Sequence, residues 1–165
     1  MLVNNLAALT FLPQEQLNLA HSCEIADLNR YRWLALTFLP FDSSVSHLMS
    51  AIGMECVHRL CNLQDVARKL GLGACVNAEP VEVSPPLNIK SSHFFIIDEP
   101  MGHQFLMRAE EAAKASYSFF NWLLETNATP ELHNTLFNFV TQKNNEYRIL
   151  QECREQRKFG LSGLS

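Results

Sequence analysis

Apolar residues recur along this chain at steps of three and four through four long stretches, the period of an α-helix with one buried side. The first stretch runs from about Gln14 to Leu39, with Leu17, Ala20, Glu24, Leu28, Tyr31, Ala35 and Phe38 on one stripe. Pro40 ends it, and Asp42, Ser43 and Ser44 offer N-cap side chains for the next helix. The second stretch covers 44–70. Leu48, Ala51, Glu55 and His58 form one row there, Leu63, Val66 and Leu70 continue the apolar side, and Gly71 and Gly73 are stop signals. The third covers 101–125, with Asp98 as its cap and Leu106, Glu110, Ala113, Tyr117, Phe120 and Leu124 in phase. The fourth covers 130–157 and opens on Thr129-Pro130. Its expected inner row is Leu136, Val140, Asn144, Tyr147 and Gln151, with Phe137 and Leu150 beside it; Glu146 and Glu152 fall off that row. The tail from Phe159 to Ser165 is expected to fray.

The connections set the topology. Between the second and third stretches, segment 71–100 carries Pro80, Pro85 and Pro86, which forbid a regular helix. His93 to Ile97 reads as a short strand or as a strap across the helices. A connection this long is unusual in a compact domain and is enough to return along a whole helix. Two short hairpin links flanking one long crossover between helices 2 and 3 predict an all-α, antiparallel four-helix bundle. The helices would be about 37 Å long and the connectivity ferritin-like. Residues 1–165 form one domain in this reading.

Two features carry candidate chemistry. Glu55 and His58 are three residues apart, on one helix face and in phase with Leu48 and Ala51. A buried carboxylate and imidazole are costly unless something pairs with them, and a metal ion is one such partner. Glu24 precedes Tyr31 by seven residues, and Glu110 precedes Tyr117 by seven, so each Glu shares a stripe with its Tyr two turns on. The competing reading makes Glu55 and His58 a solvent-facing ion pair, and Glu111 competes with Glu110 for the inward position.

Glu24-Ile-Ala-Asp-Leu-Asn-Arg-Tyr31, Glu55-Cys-Val-His58, and Glu110 with Tyr117 together resemble the rubrerythrin branch of the ferritin-like superfamily, over about Leu17 to Glu152. The resemblance implies that a Glu on the first helix and a Glu-x-x-His on the second supply half of a di-iron site, and that the third and fourth helices repeat the arrangement. It assigns Glu24, Glu55, His58 and Glu110 as metal ligands, with Tyr31 and Tyr117 as second-shell groups or electron donors. Such oxygen and imidazole donors suit iron, manganese or zinc. The fourth helix departs from the pattern. Asn144 stands where a Glu is expected and Tyr147 where a His is expected, and no His follows His133. One ion, a weakly held pair, or an empty polar core all stay open.

Composition narrows the rest. A net charge of −4 argues against a general nucleic-acid or anionic-membrane binder. The apolar stretch Met1 to Leu12 lacks Lys and Arg and is too short to span a bilayer, so it is not read as a signal peptide. Five cysteines with no Cys-x-x-Cys pair fit free thiols in a reducing cytoplasm. They also leave no rubredoxin-type centre, so a redox role would need an external electron donor. Eleven Phe and two Trp suggest a homodimer. The functional expectation is a non-haem iron oxidoreductase acting on oxygen, peroxide or an organic substrate. Its alternative is a metal-free degenerate bundle serving as a binding or assembly module.

Overall fold

The computed structural model describes residues 12–76 and 95–162. Four helices account for nearly all of them: α1 Pro13–Phe38, α2 Ser43–Lys69, α3 Glu99–Glu125 and α4 Pro130–Ser162. A short 3-10 turn, Gly73–Val76, follows α2. No strand occurs among the described residues. The expected four-helix bundle is present, with α1 paired to α2 and α3 to α4.

Local chemistry sets the helix ends. Pro13 opens α1, where its missing N–H costs nothing. The Asp42 side chain accepts from the Val45 N–H (3.1 Å) to cap α2, and Asp98 accepts from Met101 (2.9 Å) to cap α3. Gly71 ends α2 at φ +71°, where a side chain would be strained. The Leu72 N–H then reaches back to Ala67 O (2.7 Å) and the Gly71 N–H to Arg68 O (3.1 Å), satisfying two of the last free carbonyls. α4 continues as helix to Ser162, past the expected end at 157.

Cross-helix bonds fix the directions. Gln16, at the start of α1, donates to Leu123 O near the end of α3 (3.0 Å). Arg157 near the end of α4 pairs with Asp42 at the start of α2. Glu110 of α3 pairs with Arg154 of α4. Each of these pairs is therefore antiparallel, and α2 and α3 run the same way. The chain leaving α2 must return along the bundle before α3 begins. Its two ends are placed accordingly. Val76 packs with Leu17, Ala20, Leu63 and Ala67, whereas Ile96 packs at the opposite end with Phe38, Val45 and Leu106. The Ile96 N–H donates to Thr37 O (3.1 Å), pinning the crossover there. Of the expected strand or strap at His93 to Ile97, Phe95 to Ile97 form no strand, and His93 and Phe94 lie outside the described residues.

The stripe expected for α1 is buried throughout: Leu17, Ala20, Glu24, Leu28, Tyr31, Ala35 and Phe38. On the other three helices the expectation is met in part, at Leu63 of α2, at Leu106, Ala113 and Phe120 of α3 and at Leu136 and Leu150 of α4, and elsewhere the buried row runs one residue beside the expected one. In α2 it is Val45, Met49, Ile52, Cys56, Arg59, Leu63 and Ala67. In α3 it is Gly102, Leu106, Ala109, Ala113, Ser116, Phe120 and Leu123. In α4 it is Leu132, Leu136, Phe139, Lys143, Glu146 and Leu150. All three step by four and three, as a bundle seam requires. Each meets its polar members near mid-helix, and the two apolar clusters lie on either side of that level.

Candidate functional site

The interior polar level draws on all four helices. α1 contributes Glu24 and Asp27, α2 contributes Arg59, α3 contributes Ser116, and α4 contributes Lys143 and Glu146; all six are buried. Lys143 Nζ lies 2.7 Å from Asp27 Oδ2 and 2.7 Å from Glu24 Oε1. Arg59 spreads its three nitrogens. Nε donates to Glu24 Oε1 (3.0 Å), Nη1 to Gln142 Oε1 (3.1 Å), and Nη2 to Glu146 Oε1 (2.5 Å) and the Cys56 sulfur (3.4 Å). Ser116 Oγ donates to Asp27 Oδ2 (2.6 Å), and Arg30 reaches in from the edge to Asp27 Oδ1 (2.8 Å). The Phe120 ring lies 5.1 Å from the Lys143 ammonium. Three carboxylates thus face three cations. One buried acceptor, Glu24 Oε2, has no partner.

The titrations follow from this packing. Burial works against charge on Lys143 and Arg59, but Glu24 with Asp27 beside one and Glu146 beside the other outweigh it, and both cations are held more firmly protonated than usual. Burial would raise the Asp27 carboxyl, yet Lys143 and Arg30 leave it below its ordinary range. Glu146 goes the other way: burial raises it, and Arg59 and Lys143 only partly offset that. Burial also pushes the Tyr31 phenol up, and the Cys23 thiol to about 11. Both are therefore protonated and inert near neutral pH.

The four expected metal ligands do not converge. Glu24 is fully buried, as expected, but Arg59 and Lys143 hold it. Glu55 and His58 are 55% and 65% exposed and form a loose pair at 4.0 Å. They were expected inward in phase with Ala51, which is itself exposed. The true seam passes through Cys56 and Arg59, one residue on and so about 100° around the helix. Glu110, half-buried, is engaged by Arg154 and lies six residues, about 9 Å, before Ser116 along α3. Glu111 is exposed, so Glu110 is the more inward of the two. Tyr31 is buried beside the polar level, whereas Tyr117 is only half-buried at its flank. Asn144 and Tyr147 are half-buried, and their neighbours Lys143 and Glu146 take the interior positions. Among the described residues no group of three or more His, Cys, Asp or Glu side chains is placed to hold a metal ion. Cys23, Cys56, Cys61 and Cys153 are free thiols. No described helix is long and apolar enough to cross a membrane.

Comparison of the chain with protein-family models, with curated proteins and with solved structures gave no match. Asp27, Arg59, Ser116, Lys143 and Glu146 are the members of this level that the sequence reading missed. The signal was present: each interrupts a four-three apolar row, as in Leu132, Leu136, Phe139, Lys143, Glu146, Leu150.

Proposed function

We propose that this chain is a ferritin-like bundle that works without a metal, as a binding module. The observation that carries the reading is Lys143 Nζ lying 2.7 Å from carboxylates of both Glu24 and Asp27. An ammonium there, with the Arg59 guanidinium beside it, supplies the positive charge that a metal ion would bring to such carboxylates. A divalent ion added to three carboxylates and three cations would leave a buried excess of charge, which is strongly unfavourable. The imidazole ligand that a ferritin-like metal site would need faces solvent on α2. The long crossover between two helices that run the same way supports the ferritin-like part of the reading.

Elemental analysis of the purified protein, paired with melting curves with and without a chelator, tests this reading. The expected result is no stoichiometric iron, manganese or zinc, and a midpoint that the chelator leaves unchanged. One or two equivalents of metal in the wild type, lost in Glu24→Gln, would overturn it.

A further inference from the structure

A cleft of about 820 Å³ opens where α1 ends, α2 and α3 begin and α4 finishes. Its volume falls in the range of small-molecule sites. Buried Phe38, Val45 and Leu106 form an apolar wall, with half-buried Leu48 beside them. Arg157 of α4 lines the same space. Its Nη1 pairs with one carboxylate oxygen of Asp42, whose other oxygen caps α2. Its Nε is buried and has no hydrogen-bond partner among the described residues. The Cys153 thiol lies close to this guanidinium in the lining, but sulfur is a weak acceptor and does not meet the demand of a buried N–H. A buried donor without an acceptor is unfavourable, and a ligand that brings one recovers the loss. The Arg157 side chain as a whole is only half-buried, so the guanidinium can turn toward such a ligand. His103 adds a second donor to the lining, since an imidazole always carries at least one N–H.

The wall and the donor together select a ligand class. An ammonium brings donors only and leaves Nε as it is. A carboxylate brings an acceptor, but Asp42 already matches the charge of Arg157, and Glu99 and Glu152 share the lining. A further negative charge beside an apolar wall is unfavourable there. An uncharged carbonyl supplies the acceptor without the charge. We propose that this cleft binds a small apolar molecule carrying a neutral carbonyl. The body of that molecule packs against Phe38, Val45 and Leu106, and its oxygen accepts from the Arg157 guanidinium. The proposal rests on the binding-module reading and gives it a ligand class. It stands apart from the metal-free half of that reading, which metal analysis alone decides.

Isothermal titration of the full chain with 4-phenylbutan-2-one, 3-phenylpropanoate and 4-phenylbutan-2-ylammonium tests it. The three probes share a phenylethyl body and differ in the head, which is a neutral acceptor, a charged acceptor or a charged donor. The ketone is expected to bind one to one and to raise the melting midpoint, with the carboxylate and the ammonium each at least about tenfold weaker, the scale of one hydrogen bond. Arg157→Met keeps the apolar stem, removes the donor and should weaken the ketone about tenfold. Ser44→Trp, at an exposed lining position that leaves Arg157 in place, should block the ketone altogether. No heat from the ketone at millimolar concentration, a carboxylate or ammonium that binds as tightly as the ketone, unchanged ketone affinity in folded Arg157→Met, or binding that survives Ser44→Trp would each overturn the proposal.

Discussion

Two neighbouring residues of α2, His58 and Arg59, make carboxylate contacts of opposite standing. His58 and Glu55 meet at 4.0 Å with more than half of each side chain in water. Arg59, the next residue, meets Glu24 at 3.0 Å and Glu146 at 2.5 Å with its own side chain fully buried. In water, two charges 4 Å apart attract by only about 1 kcal/mol, and solvent competes for both. Inside the bundle the attraction is stronger, but so is the cost of removing each charge from water. The pair then holds only while every partner stays in place. A rotation of one residue around the helix therefore decides whether a charge is incidental or a condition of folding. The Glu110–Arg154 pair, 12% and 21% exposed, lies between the two extremes.

The largest expected effect comes from breaking the buried level. Lys143→Met leaves Glu24 and Asp27 facing each other across a lost cation, and Arg59→Met does the same to Glu24 and Glu146. Each should cost roughly 3–5 kcal/mol of unfolding free energy, read from urea denaturation at pH 7. The double variant Arg59→Met/Glu146→Leu removes both members of a pair and should cost less than the sum of the singles, by about 1–3 kcal/mol. Strict additivity would mean that the 2.5 Å contact does not couple the two side chains.

The pH dependence should separate the members of the same level. Asp27 titrates below its ordinary 3.8, so its contribution is present above that value and is lost as pH falls through the lower folded value. Glu146 is raised above 4.5, so the folded state takes up this proton first and gains stability relative to the unfolded chain as pH falls through the raised value. The acid limb should therefore show a shoulder before the final loss, and Glu146→Gln should remove the shoulder while leaving the loss. On the alkaline side, Lys143 is raised above 10.5 and Tyr31 above 10.0. Both contributions are present below about pH 10 and are lost above it. Denaturant midpoints measured from pH 2.5 to 11 would show both limbs, and a single smooth acid transition in the wild type would contradict the opposed shifts.

The same contrast explains what the sequence made legible. Helix number, caps, the Gly71 stop and the long crossover rest on local chemistry, which single residues announce. The seam of α1 was legible because Leu17, Ala20, Leu28 and Phe38 leave one phase open. On α2 the row Val45, Met49, Ile52, Cys56, Leu63, Ala67 was also there to read, but Arg59 falls in it. A lone arginine argues against burial unless its partners are known. Those partners lie on α1 and α4, 35 and 87 residues away, and only the folded bundle brings them together. Choosing Glu55 and His58 as the inner pair turned α2 by one residue. The same one-residue shift carried Asn144 and Tyr147 inward in place of Lys143 and Glu146.

Moving outward, Arg154→Ala should cost about 0.5–1 kcal/mol, because Glu110 keeps partial access to water once its partner is gone. Glu55→Ala and His58→Ala should each change stability by less than about 0.5 kcal/mol, the usual outcome for an exposed substitution that breaks no buried contact. Their double variant should show no coupling beyond that range. These small effects are informative because an inward α2 phase predicts the opposite. Were Glu55 and His58 ligands or interior groups, either alanine would leave a partner uncompensated and cost several kcal/mol. A loss above about 2 kcal/mol in urea denaturation of either single variant would turn α2 back by one residue and restore the pair to the interior. A loss near zero leaves Arg59 as the residue on that helix whose charge the fold depends on.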